Sequence, residues 1–478
     1  MSIADWLQSP RVRRSVAVSA VVLATGGLVL FRTSDTSFAS TIVTHATGTQ
    51  ATFVGPGLHG TVSISQSAVL AAGDRDVYAE VTLAADPAAR ATDHAPLALA
   101  IALDTSGSMY GEKIDQAKRA VLELVRDMRD DDQIAVIRYS STASVVQPLA
   151  RVGDVRETLA TQIRQIDADG GTAIPAGLHA ALGALDEAGR GRVRRVVLAS
   201  DGLDGSRLET ERVAEEAFAH GVTISSLGIG LDFDESYMGA VAREGHGNFG
   251  FVKDATSLAS FLERELHETA STTVEGATVR LDLPAGLHFV SATGADARVV
   301  DDKAIELRFG SLFARDERRA IVHLTARLDA GESARLAAKA DWTQVVGGSI
   351  PFVPAHVDVA PLALRGVVDA KTVEESRDAV VFADATSVMG SEREIEAAHA
   401  YAAGDVVRAR SLIDQNVVQL HAAQAAAPKP VAAKLAKQLE VYDETKKSFN
   451  APPESGAGRA AAKDAFENDW KNLGRRSY

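Results

Sequence analysis

Three oxygen-bearing side chains follow the end of an apolar run near residue 100. Residues 98–103 are aliphatic, and Asp104, Ser106 and Ser108 come directly after them at alternate positions. Alternate residues of an extended segment project to the same side, so these three can face one ligand. A carboxylate and two hydroxyls are hard oxygen ligands, which suit Mg²⁺, Ca²⁺ or Mn²⁺ better than zinc or copper. The segment therefore predicts part of a divalent metal site, on a loop that follows a buried strand.

Two later segments offer further oxygen ligands. Thr172 follows the glycine pair Gly170-Gly171 and precedes a helical pattern, and Asp201 follows a second aliphatic run at residues 196–199. In open α/β sheets, ligands bind beyond the carboxyl ends of the strands, where such loops meet. We therefore expect Thr172 and Asp201 to lie beside the first loop.

The order Asp-x-Ser-x-Ser, then a distant Thr, then a distant Asp-Gly resembles the metal-ion-dependent adhesion site (MIDAS) of von Willebrand factor type A (VWA) domains. Ser200 stands where that family usually has Thr. The resemblance implies direct contacts to Mg²⁺, or to Ca²⁺ or Mn²⁺, from hydroxyls and contacts through bound water from carboxylates. The metal-site residues that it implies are Asp104, Ser106, Ser108, Thr172 and Asp201.

The same resemblance implies a function in binding. A carboxylate of a protein partner fills the open coordination position of the ion, and no catalysis is expected. Taken separately, the pieces have a plainer interpretation, in which Asp104 and Ser106 cap a helix that begins near Glu112 and Ser200-Asp201-Gly202 is an ordinary turn. An assembly or regulatory subunit of an envelope enzyme complex is the alternative function.

The elements around these loops predict an α/β domain over residues 95–268. Strand-like aliphatic runs alternate with segments of helical period, such as the one with Ile114, Val121 and Leu124. Strict alternation of strand and helix is typical of a doubly wound parallel sheet with helices on both faces.

The flanking segments have a different period. Residues 57–94 and 270–362 alternate apolar and polar side chains with period two, which predicts the two parts of one antiparallel β-sandwich with the α/β domain inserted between them. Two separate small units are the alternative. Residues 33–56 read as a linker. Residues 365–478 are rich in alanine and charge, and predict a helical region with a flexible tail.

The N-terminus predicts export. Arg11, Arg13 and Arg14 precede an uncharged apolar run at residues 15–31, and Arg32 closes it. Arginines before such a run stay in the cytoplasm, so residues 1–32 are expected to anchor the chain in the cell membrane with the bulk in the periplasm or at the cell surface. Cleavage near residues 37–39 would instead give a secreted protein.

Composition and further motifs exclude several function classes. The chain has 478 residues, a net charge of −14 and no cysteine, which argues against nucleic-acid phosphate as a partner and against thiolate chemistry. The segment around Ser106 lacks the first glycine of a serine-hydrolase elbow. His246 reads as a turn residue, and Asp232 and Asp234 read as solvated loop residues rather than residues that reinforce the negative potential near the ion. Asp204, close after Asp201, is a better candidate to support the ligands, but we do not expect it to do so. The oligomeric state is left open.

The export signal, the flanking strands and the α/β domain together resemble the bacterial proteins grouped with inter-alpha-trypsin inhibitor heavy chains and with calcium-activated chloride channel homologues. The resemblance covers about residues 57 to 360. One short apolar segment cannot line a pore, so channel activity is not expected.

Overall fold

The structure is a computed structural model that describes most of the chain after residue 42. The described ranges are 43–87, 96–188, 191–201, 204–230, 233–252, 255–301, 303–346 and 352–473. The predicted anchor at residues 1–32, the cleavage site and the last five residues lie outside these ranges. Among the described residues, no helix combines the length and the apolar character that a membrane crossing requires.

The chain begins its described part with five strands. They are β1 (Val43–Thr47), β2 (Gln50–Gly55), β3 (Leu58–Ile64), β4 (Ala68–Leu70) and β5 (Arg75–Ala85). Strands β1 and β2 lie within the described part, residues 43–56, of the segment that we expected to be a linker. Ala51 and Phe53 point into the core while Gln50 and Thr52 are exposed, so the period of two is present in β2 but is carried mainly by small residues.

An α/β domain follows, as the alternating pattern predicts. Its strands are β6 (Leu97–Asp104), β7 (Gln133–Tyr139), β8 (Ala143–Arg151), β9 (Val193–Ser200), β10 (Val222–Ile229) and β11 (His246–Val252). Its helices are α1 (Glu112–Asp127), α2 (Val152–Arg164), α3 (Ile174–Leu185), α4 (Arg207–Ala219), α5 (Glu235–Glu244) and α6 (Ala255–Ala270).

The six strands of this domain form one sheet in the order β11-β10-β9-β6-β7-β8. All neighbouring pairs are parallel except β7 and β8, which are antiparallel. Strand β8 at this edge was not predicted, because its side chains are mostly exposed or half-buried and carry little apolar signal. Two apolar cores cover the sheet, one with α1, α2 and α6 on one face and the other with α3, α4 and α5 on the opposite face.

Seven more strands follow the α/β domain. They are β12 (Thr272–Asp282), β13 (Leu287–Thr293), β14 (Asp296–Val299), β15 (Ala304–Phe313), β16 (Glu317–Ala326), β17 (Ser333–Val345) and β18 (Phe352–Val367).

Strands from before and after the α/β domain share two sheets. One sheet has the order β1-β2-β3-β5-β16-β13 and the other β14-β15-β12-β17-β18-β4. The two sheets enclose one apolar core, to which Phe53 and Val62 contribute from the first and Leu281 and Trp342 from the second. The chain therefore leaves this pair of sheets after β5 and returns to it at β12.

The remaining described residues are helical. The helices are α7 (Ala370–Glu375), α8 (Ala379–Ala402), α9 (Val406–Ala426), α10 (Lys429–Ser448) and α11 (Gly456–Asn472). A short break that contains Gly404 and Asp405 separates α8 from α9. The tail that we expected to be loosely held instead includes α11, whose Ala462, Ala465 and Phe466 are buried. Alanine on one side lets this helix pack closely against its neighbours.

Candidate metal centre

The two strands that carry the predicted aspartates are neighbours in the sheet. Strands β6 and β9 are parallel and pair Leu103 with Ala199. Parallel neighbours end at the same edge, so Asp104 at the end of β6 and Asp201 just after β9 meet there. Both side chains are buried, with a relative exposure of 0%.

Asp104 orders the first loop. One carboxylate oxygen, Oδ1, accepts a hydrogen bond of 2.8 Å from the backbone N–H of Ser106. The other, Oδ2, accepts one of 2.6 Å from the Ser200 hydroxyl on the neighbouring strand. Burial raises the pKa of Asp104, while these hydrogen bonds from Ser200 and Ser106 oppose that rise. Asp104 thus fixes the serine loop to the neighbouring strand. Ser200 donates the hydrogen bond that a Thr hydroxyl at this position could also donate.

The serines of the first loop connect to Asp201. The hydroxyl oxygens of Ser106 and Ser108 lie 3.0 Å apart. The Ser108 hydroxyl donates to Asp201 Oδ1 at 2.7 Å. Ser106 is buried and Ser108 is exposed, so the row of oxygens runs from the interior to the surface.

The predicted fifth ligand lies on a loop that the backbone attaches to the first one. The Gly107 N–H donates to the Gly170 carbonyl at 2.9 Å, and the Asp169 N–H donates to the Thr105 carbonyl at 2.7 Å. Thr172 is half-buried two residues further on. Among the described residues, no hydrogen bond joins its hydroxyl to the four other predicted ligands. The structure therefore brings Asp104, Ser106, Ser108 and Asp201 into one bonded row, with Thr172 on the adjoining loop.

Glycine is required at one point of the adjoining loop. Gly170 has a φ of +81°, and a Cβ there would lie 3.2 Å from the Ser140 hydroxyl oxygen. Next to it, the Gly171 N–H donates to the Ser141 hydroxyl at 2.9 Å. The serines that follow β7 at the same sheet edge thus hold this loop against the first one.

Three residues at this edge were missed or dismissed from the sequence. The Lys113 ammonium, from the first turn of α1, contacts Asp201 Oδ2. Asp204, which we did not expect to support the site, accepts the Ile174 N–H at 2.7 Å through Oδ2. Ser141 is the third. Ser141 and Asp204 follow the ends of β7 and β9 closely in the sequence, and that position was the available signal for them, whereas Lys113 lies within α1.

The other acidic and histidine candidates take structural roles. Asp234 caps α5 by accepting the N–H groups of Ser236 and Tyr237. His246 has a φ of +54° and stacks on Phe218 with ring centroids 3.5 Å apart. Asp232 lies outside the described residues.

The donor set fits a hard divalent ion rather than a transition metal. In the described part of the chain, no three His, Cys, Asp or Glu side chains cluster as a metal site. The bonded row is instead made of two hydroxyls and carboxylates, the oxygen ligands that Mg²⁺ and Ca²⁺ take. The two hydroxyl oxygens, which would be direct ligands, lie 3.0 Å apart, close to the separation of about 2.9 Å between adjacent ligands of an octahedral magnesium ion.

The sheet order and the two helical layers define the class of a doubly wound α/β domain, with a row of oxygens at the carboxyl edge of its sheet. Residues 98–264 match the model of the von Willebrand factor type A domain, and this part of the chain is a VWA domain.

Relatives of known sequence match part of the chain. The protein sll0103 of Synechocystis is 28% identical over 254 residues, which are 50% of this chain and 60% of that protein. YfbK of Escherichia coli is 26% identical over 218 residues, covering 44% and 36% of the two chains. Mouse inter-alpha-trypsin inhibitor heavy chain H2 is 27% identical over 173 residues, covering 32% and 18%. The chain thus spans less than two thirds of the length of each of these relatives.

Two solved structures are similar over nearly the whole chain. A von Willebrand factor type A protein from Catenulispora acidiphila has a TM-score of 0.64 at 18% identity, with 89% of this chain and 98% of that one covered. The ArnB paralog VWA2 from Sulfolobus acidocaldarius has a TM-score of 0.57 at 14% identity, with 87% and 98% covered. At these identities the likeness shows the fold, and it includes the sheets and helices that flank the VWA domain.

Proposed function

We propose that this chain is a membrane-anchored, extracytoplasmic module that binds a protein partner through a divalent metal ion. A VWA domain is a protein-interaction module. The observation that carries the proposal is the row of Ser106, Ser108 and Asp201 oxygens at the carboxyl edge of the sheet, in which the two hydroxyl oxygens lie 3.0 Å apart and the Ser108 hydroxyl donates to Asp201. Mg²⁺ is the proposed ion, with Ca²⁺ and Mn²⁺ as the other candidates.

The chemistry of the donors explains why a partner is needed. Ser106, Ser108 and Thr172 would hold the ion directly through neutral hydroxyls. Asp104 and Asp201 would contact it through bound water. Neutral ligands leave most of the charge of a divalent ion uncompensated, so the bound ion attracts one more anionic oxygen. An acidic side chain of the partner supplies that oxygen by coordinating the ion, and no covalent bond is made or broken in the process.

An exposed aromatic residue supports a protein ligand in particular. Tyr110 follows the serine loop directly and has a relative exposure of 81%. Large aromatic side chains are enriched at the centre of protein interfaces. We propose that Tyr110 packs against the partner beside the acidic residue that reaches the ion.

Capture of partners from envelope extracts tests the binding proposal. The full chain is cross-linked to extract proteins in Mg²⁺ and again in excess chelator, and captured proteins are identified by mass spectrometry. We expect a set of proteins that is lost with chelator and with the Ser106→Ala/Ser108→Ala variant. Ser144→Ala, an exposed serine on β8, is the matched control and should capture the same set as the wild type. Capture that persists in chelator would contradict a metal-bridged contact.

The location is tested separately. A reporter enzyme fused after Tyr478 should be active only outside the cytoplasm if residues 15–31 anchor the chain with the proposed orientation. Activity inside the cytoplasm would contradict that part of the proposal and leave the metal site unaffected.

A further inference from the structure

Asp204 supplies a helix cap that the local sequence lacks. Helix α3 begins at Ile174, and its N-cap residue is Ala173, whose side chain makes no capping hydrogen bond. Asp204, thirty residues later in the chain, accepts the Ile174 N–H at 2.7 Å instead. A carboxylate at this end of a helix also interacts favourably with the helix dipole. The start of α3, and with it the segment carrying Thr172, is therefore held by a side chain from another loop.

The Asp204 carboxylate is itself held on its other oxygen. Oδ1 accepts the Ser206 N–H at 3.0 Å and the Tyr237 hydroxyl at 2.8 Å. Tyr237 lies in the first turn of α5 and is buried, with a relative exposure of 2%. Burial raises the pKa of Tyr237, so its hydroxyl keeps the proton that it donates to Asp204. The position of α5 thus fixes the direction from which Asp204 reaches Ile174.

The C-terminal helical region holds the first turn of α5. Lys463 on α11 donates to the Phe233 carbonyl at 2.7 Å and to Glu235 Oε2 at 2.6 Å. Its ammonium also lies 4.0 Å from the centre of the Phe233 ring. The Lys463 and Glu235 side chains have relative exposures of 5% and 12%, so this ion pair is largely removed from water. Loss of one member of such a pair leaves an uncompensated buried charge, which the surrounding structure must relieve by moving.

We propose that Asp204 is a positioning residue for Thr172 and that α11 tunes the affinity of the metal centre by holding α5 through Lys463. The connection runs from Lys463 to the first turn of α5, from Tyr237 to Asp204, and from Asp204 to Ile174. This inference rests on the proposed metal function for its effect on affinity. The series of contacts from Lys463 to Ile174, which we call the mechanical connection, is present without an ion.

Two measurements on the full chain test the proposal, with Mg²⁺ alone as the probe. Calorimetric titration gives the Mg²⁺ affinity, and hydrogen exchange of the Ile174 amide in metal-free protein reports whether the cap is in place. We expect Asp204→Ala to weaken Mg²⁺ binding by about tenfold, the lower end of the effect of removing a group that orients metal ligands. Exchange at Ile174 should accelerate in the same variant. Asp204→Asn keeps a carbonyl oxygen as acceptor and should restore part of both losses.

The remote residues should act in the same direction. Lys463→Met and Tyr237→Phe should each accelerate exchange at Ile174 and weaken Mg²⁺ binding by a smaller factor. The double variant should lose less Mg²⁺ binding free energy than the two single variants lose together, because both residues act through one connection. Lys446→Met is the matched control, since Lys446 on α10 pairs with Asp414 at the surface.

The outcomes separate the two proposals. Mg²⁺ binding in the wild type that Asp204→Ala leaves within twofold would overturn the positioning role. Exchange at Ile174 that is unchanged in both Lys463→Met and Tyr237→Phe would overturn the connection to α11. If the wild type binds no Mg²⁺, the metal function fails, and accelerated exchange at Ile174 in the variants would still establish the mechanical connection.

Discussion

The carboxylates at the sheet edge and those inside the C-terminal helical region are equally buried but differ in their hydrogen-bond partners. Asp104 receives a hydrogen bond on each oxygen, and Asp201 receives the Ser108 hydroxyl on one and the Lys113 ammonium on the other. Glu394 and Asp469, which are 0% and 3% exposed, each keep one oxygen without a hydrogen-bond partner among the described residues. Both oxygens of each carboxylate in the first pair have a hydrogen-bond donor, whereas one oxygen of each carboxyl in the second pair has none.

The electrostatics of the helical region follow from that difference. Burial raises the pKa of Glu394 to about 9, and the neighbouring Asp469 carboxyl adds to the rise. Burial raises the pKa of Asp469 to about 7, against hydrogen bonds from Ser391 and Tyr442. A buried carboxyl without a cation or enough donors is more stable in its neutral form. Burial alone therefore does not identify a metal site, and the surrounding donors decide what a buried carboxylate does.

Removing Asp201 should give the largest effect. Asp201→Ala is expected to weaken Mg²⁺ binding by about 100-fold, the upper end of the range for a group that orients metal ligands. The metal-free fold should persist, because Lys113 is 29% exposed and can turn toward water. Calorimetry and circular dichroism check both parts, with Asp154→Ala on the exposed side of α2 as the control. Equal Mg²⁺ affinities in Asp201→Ala and Asp154→Ala would show that Asp201 is not part of the metal site.

Neutralising Glu394 should change how stability depends on pH. The folded pKa of about 9 lies above the ordinary value of 4.5, so the contribution of Glu394 is complete below about pH 4.5 and is lost as pH rises toward 9. Its slope is at most about 1.4 kcal/mol per pH unit. Glu394→Gln should flatten the loss of melting temperature between pH 5 and 9.

The control for this prediction lies on the same helix. Glu396→Gln alters an exposed residue of α8 that pairs with Arg408, and it should keep the wild-type pH profile. Identical profiles for the wild type and Glu394→Gln would mean that Glu394 is ionised in the folded protein, and the contrast between the two regions would fail.

The smallest effect is expected at Lys113. Its ammonium contacts the oxygen of Asp201 that faces away from Ser108, so it competes with a divalent ion for the same carboxylate. Lys113→Met should tighten Mg²⁺ binding by about threefold to tenfold, since a half-exposed charge is partly screened by solvent. Lys118→Met, on the same helix, should leave the affinity unchanged. Weaker binding in Lys113→Met would show that the lysine supports the site rather than competing with the ion.

The parts that were predictable from the sequence depend on strand ends. An aliphatic run that stops at a polar residue marks the carboxyl end of a buried strand, and parallel pairing then places Asp104 beside Asp201 without further information. Tyr237 on α5, by contrast, reaches Asp204 on the loop before α4 only because α4 and α5 pack against each other. No local sequence pattern encodes that contact.

The same limit explains the structural differences. Strand β2 buries Ala51 and Phe53 in a segment whose composition is typical of a linker. Helix α11 follows a proline pair that indicates an interruption, yet its Lys463 finds a buried partner in Glu235 that lies 228 residues earlier. Such contacts are set by tertiary packing, which overrides composition and local propensity.

One measurement tests the central claim most directly. Crystals of the full chain grown in Mn²⁺, with data collected at a wavelength where manganese scatters anomalously, would locate the ion itself. We predict one anomalous peak within coordination distance of the hydroxyls of Ser106, Ser108 and Thr172. Asp104 and Asp201 should contact the ion through bound water. Fully ordered serine loops without a peak, or a peak elsewhere in the molecule, would contradict a divalent metal centre at this edge of the sheet.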